Sequence, residues 1–327
     1  MGKRRKDERD DDAVSGGLEA LDRVFEQLDG APAGLHDVEP PAAELPSGLP
    51  EPLIELYARC DGARLFLDSI ELAASAEVTA AEDRWRFGTL EDEELWVDRR
   101  GRIWRSDESL DDVICEGTRL ERWLAGVVDA VAMLYDDEGE FRDGCFDEGG
   151  ELLPAVGERQ LRAMLRRDPG APGPRWRLAH VLLSQDRVPA ARTELEEAVA
   201  HEPGFAWAWL DLAKISEALD ELPGALDEAR AAADAAVAAH HAQAGYFHAQ
   251  LARFASRAGD EPTRAHAARR AGELAPDLKI AQLAGARASL EADDVASARG
   301  LLELLRAVWP RDLEVLELAQ RVESAEN

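Results

Sequence analysis

The chain carries one asparagine, Asn327, and four lysines, Lys3, Lys6, Lys214 and Lys279, among 38 basic residues. It has three cysteines, Cys60, Cys115 and Cys145. They are odd in number and form no CxxC pair, which argues against a disulfide framework and a zinc knuckle and points to a reducing, cytoplasmic setting. Nowhere do about 18 apolar residues run together, so no membrane span is expected. The opening MGKRRKDERDDD has no apolar stretch behind its basic residues, so no signal peptide is expected either. GxxxxGK[ST], GxGxxG, GxSxG and HExxH are all missing. Their absence removes the phosphate-loop, dinucleotide, serine-elbow and zinc-helix chemistries. His241 and His248 are seven residues apart, too far on one helix to hold an ion together, and His240 adds no third ligand. A calcium loop starting at Asp136 would need glycine where Phe141 stands. No catalytic residue, cofactor or metal is therefore assigned, and the chain is read as a non-enzyme. A hydrolase built on unrecognised carboxylates would be revived only by loss of activity on mutating a carboxylate pair.

What is present is apolar residue (46%) and charge (32%) in the proportions of a folded chain, and 327 residues suffice for about two domains. Acids number 67, and the net charge of −29 opposes any surface that must lie on phosphates, so nucleic acid is excluded as a partner. Residues 1–150 hold 39 acids and 17 bases, a net charge of −22, while the remainder carries −7. Alanine becomes dense only after about residue 156. Two halves of different character are implied, with the change near Gly149-Gly150. Few lysines against many alanines and arginines suggest a GC-rich bacterial genome.

Residues 1–14 interleave acids and bases without apolar periodicity and read as a solvated tail. Leu18, Leu21, Val24, Phe25 and Leu28 recur at helical spacing, and Gly30 with Pro32 closes that helix. A proline- and acid-rich linker leads to a short helix at Leu53, Ile54, Tyr57 and Ala58, which ends at Asp61-Gly62. Strands follow over Arg64–Ala73, Arg84–Leu90, Leu95–Val97, Arg102–Trp104 and Val113–Cys115. The hairpin between the third and fourth turns at Gly101. Leu120, Trp123, Leu124, Val127, Val128, Val131 and Leu134 mark a closing helix. Helices around a meander make an α+β domain. Of Trp85, Trp96, Trp104 and Trp123, most should be core. Cys60 and Cys115 read as buried small hydrophobes.

Leu45–Phe66 (LPSGLPEPLIELYARCDGARLF), Glu93–Arg105 (EELWVDRRGRIWR) and the helix around RLERWLAGV resemble the SUKH superfamily, which includes Smi/Knr-type regulators and bacterial immunity proteins. The likeness covers residues 15–135 and rests on Leu-Pro before a helix, Asp61-Gly62, the Arg100-Gly101 turn and the closing helix. It implies a protein-binding domain without catalytic residues.

In the second half Pro169 and Pro203 lie 34 residues apart, as do Pro276 and Pro310. The inner pair spans two such units plus five inserted residues. Thirty-four residues is the period of helix–turn–helix repeats. Leu178, Ala179, Leu182, Ala191, Leu195 and Ala198 fall on the packing positions of a first unit. Trp209, Leu212, Ala213, Ala225, Ala229 and Ala232 fall on those of a second. Leu251, Ala252, Ala255, Ala268 and Ala271 belong to a third, and Ala286, Ala298 and Leu302 to a fourth, with a capping helix over 312–323. This pattern resembles the tetratricopeptide repeat and implies an all-α superhelix. Val237 replaces the proline of the second unit and Gly285 stands where leucine is expected. The organisation expected is a tail at 1–14, the α+β domain at 15–135, an acidic linker at 136–155 and four repeats with a capping helix at 156–327.

The resemblance implies a concave surface lined by Trp176, His180, Trp207, Leu210, Lys214, Tyr246, Arg253, Arg257, Leu283, Arg287 and Leu290. Cations beside aromatics suit an acidic or carboxylate-ended peptide. The alternative is that the tryptophans pack against neighbouring repeats and the arginines are merely solvated. Carboxylate-clamp repeats use asparagines here, and the single one lies at position 327. The acids of the linker, Asp136 to Glu148, either reach this groove or stay solvated. The expected function is a non-catalytic adaptor. Its repeats would bind a peptide or protein and its first domain a protein, a basic toxin if the SUKH resemblance extends to immunity. The alternative is a regulatory scaffold with no toxin partner.

Overall fold

A computed structural model describes residues 19–275, 277 and 279–325. The tail at 1–14 lies outside the described residues, as do Leu18, Pro276 and Asn327. The chain divides into two compact units, Met1–His201 and Glu202–Asn327.

The first unit opens with a helix over 19–29 (α1), whose Leu21, Val24 and Leu28 are buried at three- and four-residue spacing. An eight-stranded, wholly antiparallel sheet follows: β1 (His36–Val38), β2 (Ala63–Leu65), β3 (Ile70–Leu72), β4 (Thr79–Ala81), β5 (Arg84–Leu90), β6 (Glu93–Asp98), β7 (Ile103–Asp107) and β8 (Asp112–Gly117). Its order is β1-β2-β3-β5-β6-β7-β8, with β4 paired to the first half of β5. The segment before residue 52 expected as linker contains β1, and the strand expected over 64–73 is two strands joined by a turn at 66–69. β5 changes partner at a bulge between Arg86 and Gly88. A Cβ on Gly88 would stand 2.0 Å from the Glu71 carbonyl oxygen, so only glycine lets β3 approach there.

Helices α2 (Glu51–Tyr57) and α3 (Leu120–Ala132) join α1 over one core with Leu65, Ile70, Phe87, Leu95, Val97 and Ile103. Trp123 and Trp85 are buried in it, and Trp96 and Trp104 are half-buried on neighbouring strands. The Trp104 ring is held by Arg84 at 4.0 Å and Arg102 at 4.8 Å. Buried Asp98 accepts from Arg102 Nε at 2.8 Å and from the backbone N–H of Arg100 and Arg102. Burial raises its pKa, but these donors outweigh that and hold it below the usual carboxylate range.

The acidic stretch after α3 is built as two tight antiparallel turns, closed by Tyr135 opposite Phe141 and Phe146 opposite Leu152. In the first, Asp136 Oδ1 accepts from the N–H of Glu138 and Glu140, both at 3.0 Å. In the second, Asp147 Oδ1 accepts from Gly149 and Glu151 at 2.8 and 2.9 Å. The acids at the corners are thus engaged in their own turns.

α4 (Pro154–Arg167), α5 (Pro172–Ser184) and α6 (Val188–His201) complete the unit. Arg177 on α5 donates Nη1 to Glu116 Oε1 at 2.5 Å and Nη2 to Oε2, and the Glu116 side chain has no exposed surface. Asp168 accepts from both the N–H and the hydroxyl of Thr118 at 2.6 Å. Gly173 leaves room for this arrangement, since a Cβ there would meet Glu116 Oε1 at 2.6 Å.

The second unit is α7 (Ala206–Ala218), α8 (Leu222–Ala238), α9 (Ala244–Ala258), α10 (Glu261–Leu274), α11 (Lys279–Glu291), α12 (Val295–Val308) and α13 (Leu313–Ala325). Helices alternate as first and second members of hairpin pairs. α5 starts at 172 and α7 at 206, 34 residues later, and α11 at 279 precedes α13 at 313 by the same interval. Alanines occupy the packed faces, with Ala225, Ala229, Ala232, Ala268 and Ala271 all buried. The residues inserted between the second and third pairs lengthen α8 to 17 residues where α6, α10 and α12 have 14. The run of helices is a tetratricopeptide-type α-solenoid.

Candidate peptide-binding site

α9 is amphipathic: Phe247, Leu251, Phe254 and Ala255 are buried while Arg253, Ser256 and Arg257 are exposed. Arg253 and Arg257, four residues apart, share one face. On α11, Lys279, Leu283 and Arg287 recur every four residues and likewise share a face. Between these faces lies a cavity of about 590 Å³. Its apolar surface comes from Ala249, Ala252, Ala268, Ile280, Leu283 and Ala284. Five cations, Arg253, Arg257, Arg264, Lys279 and Arg287, line it with one carboxylate, Glu314.

Resident carboxylates orient these cations without using all their donors. Arg253 Nη1 donates to both oxygens of Glu217, at 2.9 and 2.8 Å, and its Nε to Gln250 Oε1 at 3.0 Å. The guanidinium also lies 4.1 Å from the Phe254 ring. Arg257 approaches the same Glu217 only to 3.6 Å and makes no hydrogen bond among the described residues. Its place in the last turn of α9 also suits the negative end of the helix dipole. Arg287 makes one bond, from Nη2 to Glu314 at 3.3 Å. Lys279 donates to Asp312 at 2.5 Å and lies 3.3 Å from Glu314. The Asp312 bond, helped by Glu314, holds its pKa above the ordinary lysine value. Arg264 is enclosed between Glu261 and Glu291. The arrangement is an apolar floor with guanidinium N–H groups open above it, suited to a peptide that offers an apolar side chain between acids.

Of the residues singled out from the sequence, Arg253, Arg257, Arg287 and Leu283 come together at this cavity. Trp207 and Tyr246 instead belong to one aromatic cluster: the Trp207 ring lies 4.8 Å from Phe247, 5.8 Å from Tyr246 and 6.1 Å from His241. Trp207 and Leu210 are buried. Trp207 therefore packs within the solenoid. Lys214 is exposed and pairs with Asp211 at 2.8 Å. Trp176 and His180 lie in the first compact unit, edge to face at 4.7 Å. Sequence reasoning missed Lys279 and Arg264. Both lie outside the inner positions of the first helices: Arg264 projects from a second helix, α10, and Lys279 opens α11. For Lys279 the available signal was its place on the Leu283–Arg287 face of α11 at four-residue spacing, whereas nothing in the sequence relates Arg264 on α10 to Arg257 on α9. Among the described residues no group of three His, Cys, Asp or Glu could hold a metal ion.

A tetratricopeptide repeat family profile matches residues 172–215. No curated protein matches the chain. Among solved structures, Pseudomonas aeruginosa PilF is similar at 15% identity, with 61% of this chain and 80% of that one covered and a TM-score of 0.43. MamA is similar at 17% identity, covering 53% of this chain and 92% of that one, TM-score 0.38. A MamA segment from Desulfovibrio magneticus RS-1 gives 18%, 51% and 86%, TM-score 0.36. At that level the likenesses carry no functional content.

Proposed function

We propose that the protein is a non-catalytic interaction adaptor whose α9–α11 cavity captures an acidic peptide segment of a partner protein. The observation that carries this reading is an apolar floor bordered by Arg257 and Arg287, which between them make one hydrogen bond among the described residues. Open donors on Arg257 and Arg287 would take the carboxylates, and the Ile280–Leu283 floor an apolar side chain between them. On the resemblance given above, the sheet-bearing half is a second, SUKH-like arm, which makes the molecule a bridge between two proteins.

A fluorescent peptide Glu-Asp-Leu-Glu-Asp titrated with the full chain tests the groove. Binding should weaken about tenfold or more in an Arg257→Glu, Arg287→Glu double variant. Its salt dependence should flatten, because these cations supply the long-range attraction. Both side chains make few bonds, so the fold should survive. Equal affinity in wild type and variant would sink the reading.

A further inference from the structure

The first unit holds a second cavity, about 400 Å³, between the end of α1, β1, the end of α3 and the first acidic turn. Phe66, Tyr135 and His36 form its aromatic wall: Phe66 stacks on Tyr135 at 5.7 Å, and His36 meets the Phe66 edge at 4.5 Å. His36 Nδ1 accepts the Phe66 N–H at 3.2 Å, and burial lowers its pKa. Asp136 and Asp137 supply two carboxylates. Asp136 spends Oδ1 on its own turn and leaves Oδ2 open. Asp137 is exposed and has no hydrogen-bond or ion-pair partner among the described residues. Arg142, also lining the cavity, is tied by its Nε to the Tyr135 carbonyl at 2.6 Å and brings one positive charge against the two negative ones.

Beside this aromatic wall the surface is apolar where solvent would favour polar groups. Leu67 is 62% exposed and Phe141 55% exposed, and Phe141 stacks on Tyr135 at 4.8 Å. Leu67 is held out by an unusual turn, in which Phe66, Leu67 and Asp68 all have positive φ (56°, 53° and 72°). Left-handed backbone at three successive non-glycine residues persists only where neighbours enforce it. Here the Leu67 N–H bonds to Leu35, Ser69 bonds twice to the Phe66 carbonyl, and Tyr135 Oη donates to that same carbonyl at 3.3 Å.

We infer that this cavity is a docking pocket for a basic side chain, lysine or arginine, on an apolar-flanked segment of a partner protein. Open carboxylate oxygens beside an apolar, aromatic wall favour an ammonium or guanidinium group through charge-assisted hydrogen bonds, with the aliphatic stem of the side chain against the wall. Leu67 and Phe141 cover the flanking apolar residues, and the −22 charge of residues 1–150 draws a basic segment toward it. The site stands independently of the α9–α11 groove.

The probe is acetyl-Leu-Arg-Leu-amide titrated into the full chain, with the isosteric citrulline peptide as the uncharged comparison. The arginine peptide should bind at least tenfold more tightly than the citrulline one. Asp137→Asn should remove most of that difference, while Asp83→Asn, an exposed acid of another turn, should keep it. Phe141→Ala should weaken both peptides alike. Indistinguishable binding of the two peptides overturns the inference, and so does an equal loss in Asp137→Asn and Asp83→Asn, which would mean that overall charge alone attracts the probe.

Discussion

Single residues carry two of the fold's sharpest requirements. Glu116 is a carboxylate with no exposed surface, and among the described residues its charged partner is the fork of Arg177. Removing one member of a buried pair leaves the other charged and unsatisfied, at a cost of about 3–5 kcal/mol. Glu116→Ala strands Arg177, whose side chain is partly exposed, and should lower the unfolding free energy of the first unit by the low end of that range, about 3 kcal/mol, read as a fall in the urea midpoint at an unchanged denaturant slope. Gly173→Ala, pressing on the same carboxylate, should move it in the same direction. His248 on α9 poses the complementary case, since it is 7% exposed and neither ring nitrogen has a partner among the described residues. Burial is the largest cause of its lowered pKa. Arg270 and His266 on α10 push the same way, against Asp234 on α8 and Glu273 on α10. The unfolded chain then takes up a proton more readily than the folded one, so stability is full above about pH 6.5 and is lost as pH falls below it. Melting followed from pH 8 to 5 should show that loss, and His248→Leu should flatten the profile. An unchanged profile in the variant would assign the acid sensitivity to other groups.

At the scale of elements, the solenoid was legible because prolines 34 residues apart set its period, and alanines fell on the positions where close helix packing demands small residues. A second signature went unread. Each turn between paired helices passes through a left-handed residue, Asp186, Asp220, Gly259 and Asp293 in succession. The next residue then opens the following helix, and Asp260 and Asp294 cap the N–H of Thr263 and Ser297. The β2–β3 break was hidden because the turn opens on Phe66 and Leu67, which continue the apolar strand pattern and are not residues that normally mark a turn. The two acidic turns were hidden for the opposite reason, since Asp-rich turns and solvated acidic linkers have the same composition. The difference lies in which aspartate accepts backbone N–H groups. Asp147→Ala should thus lower the melting midpoint of the first unit by about 2–4 °C, the effect of losing roughly 1 kcal/mol in a unit of this size. Asp143→Ala, an exposed acid with no partner among the described residues, should leave it unchanged. Equal effects would show that local charge, not the turn bonds, sets the stability of this segment.

For the whole molecule, the sequence places a boundary at 155/156, where composition changes, whereas the compact units divide at 201/202. The physical difference is what each cut severs. A cut after residue 155 parts Glu116 from Arg177 and Thr118 from Asp168, two polar contacts between β8 and its following loop on one side and the α4–α5 region on the other. It also strips α4 from α3, to which Gln160 is bonded through the Ala130 carbonyl at 2.9 Å and Arg167 through Asp129 at 2.6 Å. Composition records none of this, because the partners are 30 to 61 residues apart in sequence. Expressed as fragments, residues 19–201 should melt cooperatively near the full-length transition, whereas residues 19–155 should melt well below it, because β8 and α3 lose the helices packed on them. Restoring α4 alone, in residues 19–170, should recover the α3 contacts and Asp168 but not the Arg177 pair, and so give an intermediate midpoint. Matching midpoints for 19–155 and 19–201 would show that the helices after residue 155 belong energetically to the solenoid alone, and the division at 201/202 would then have no thermodynamic counterpart.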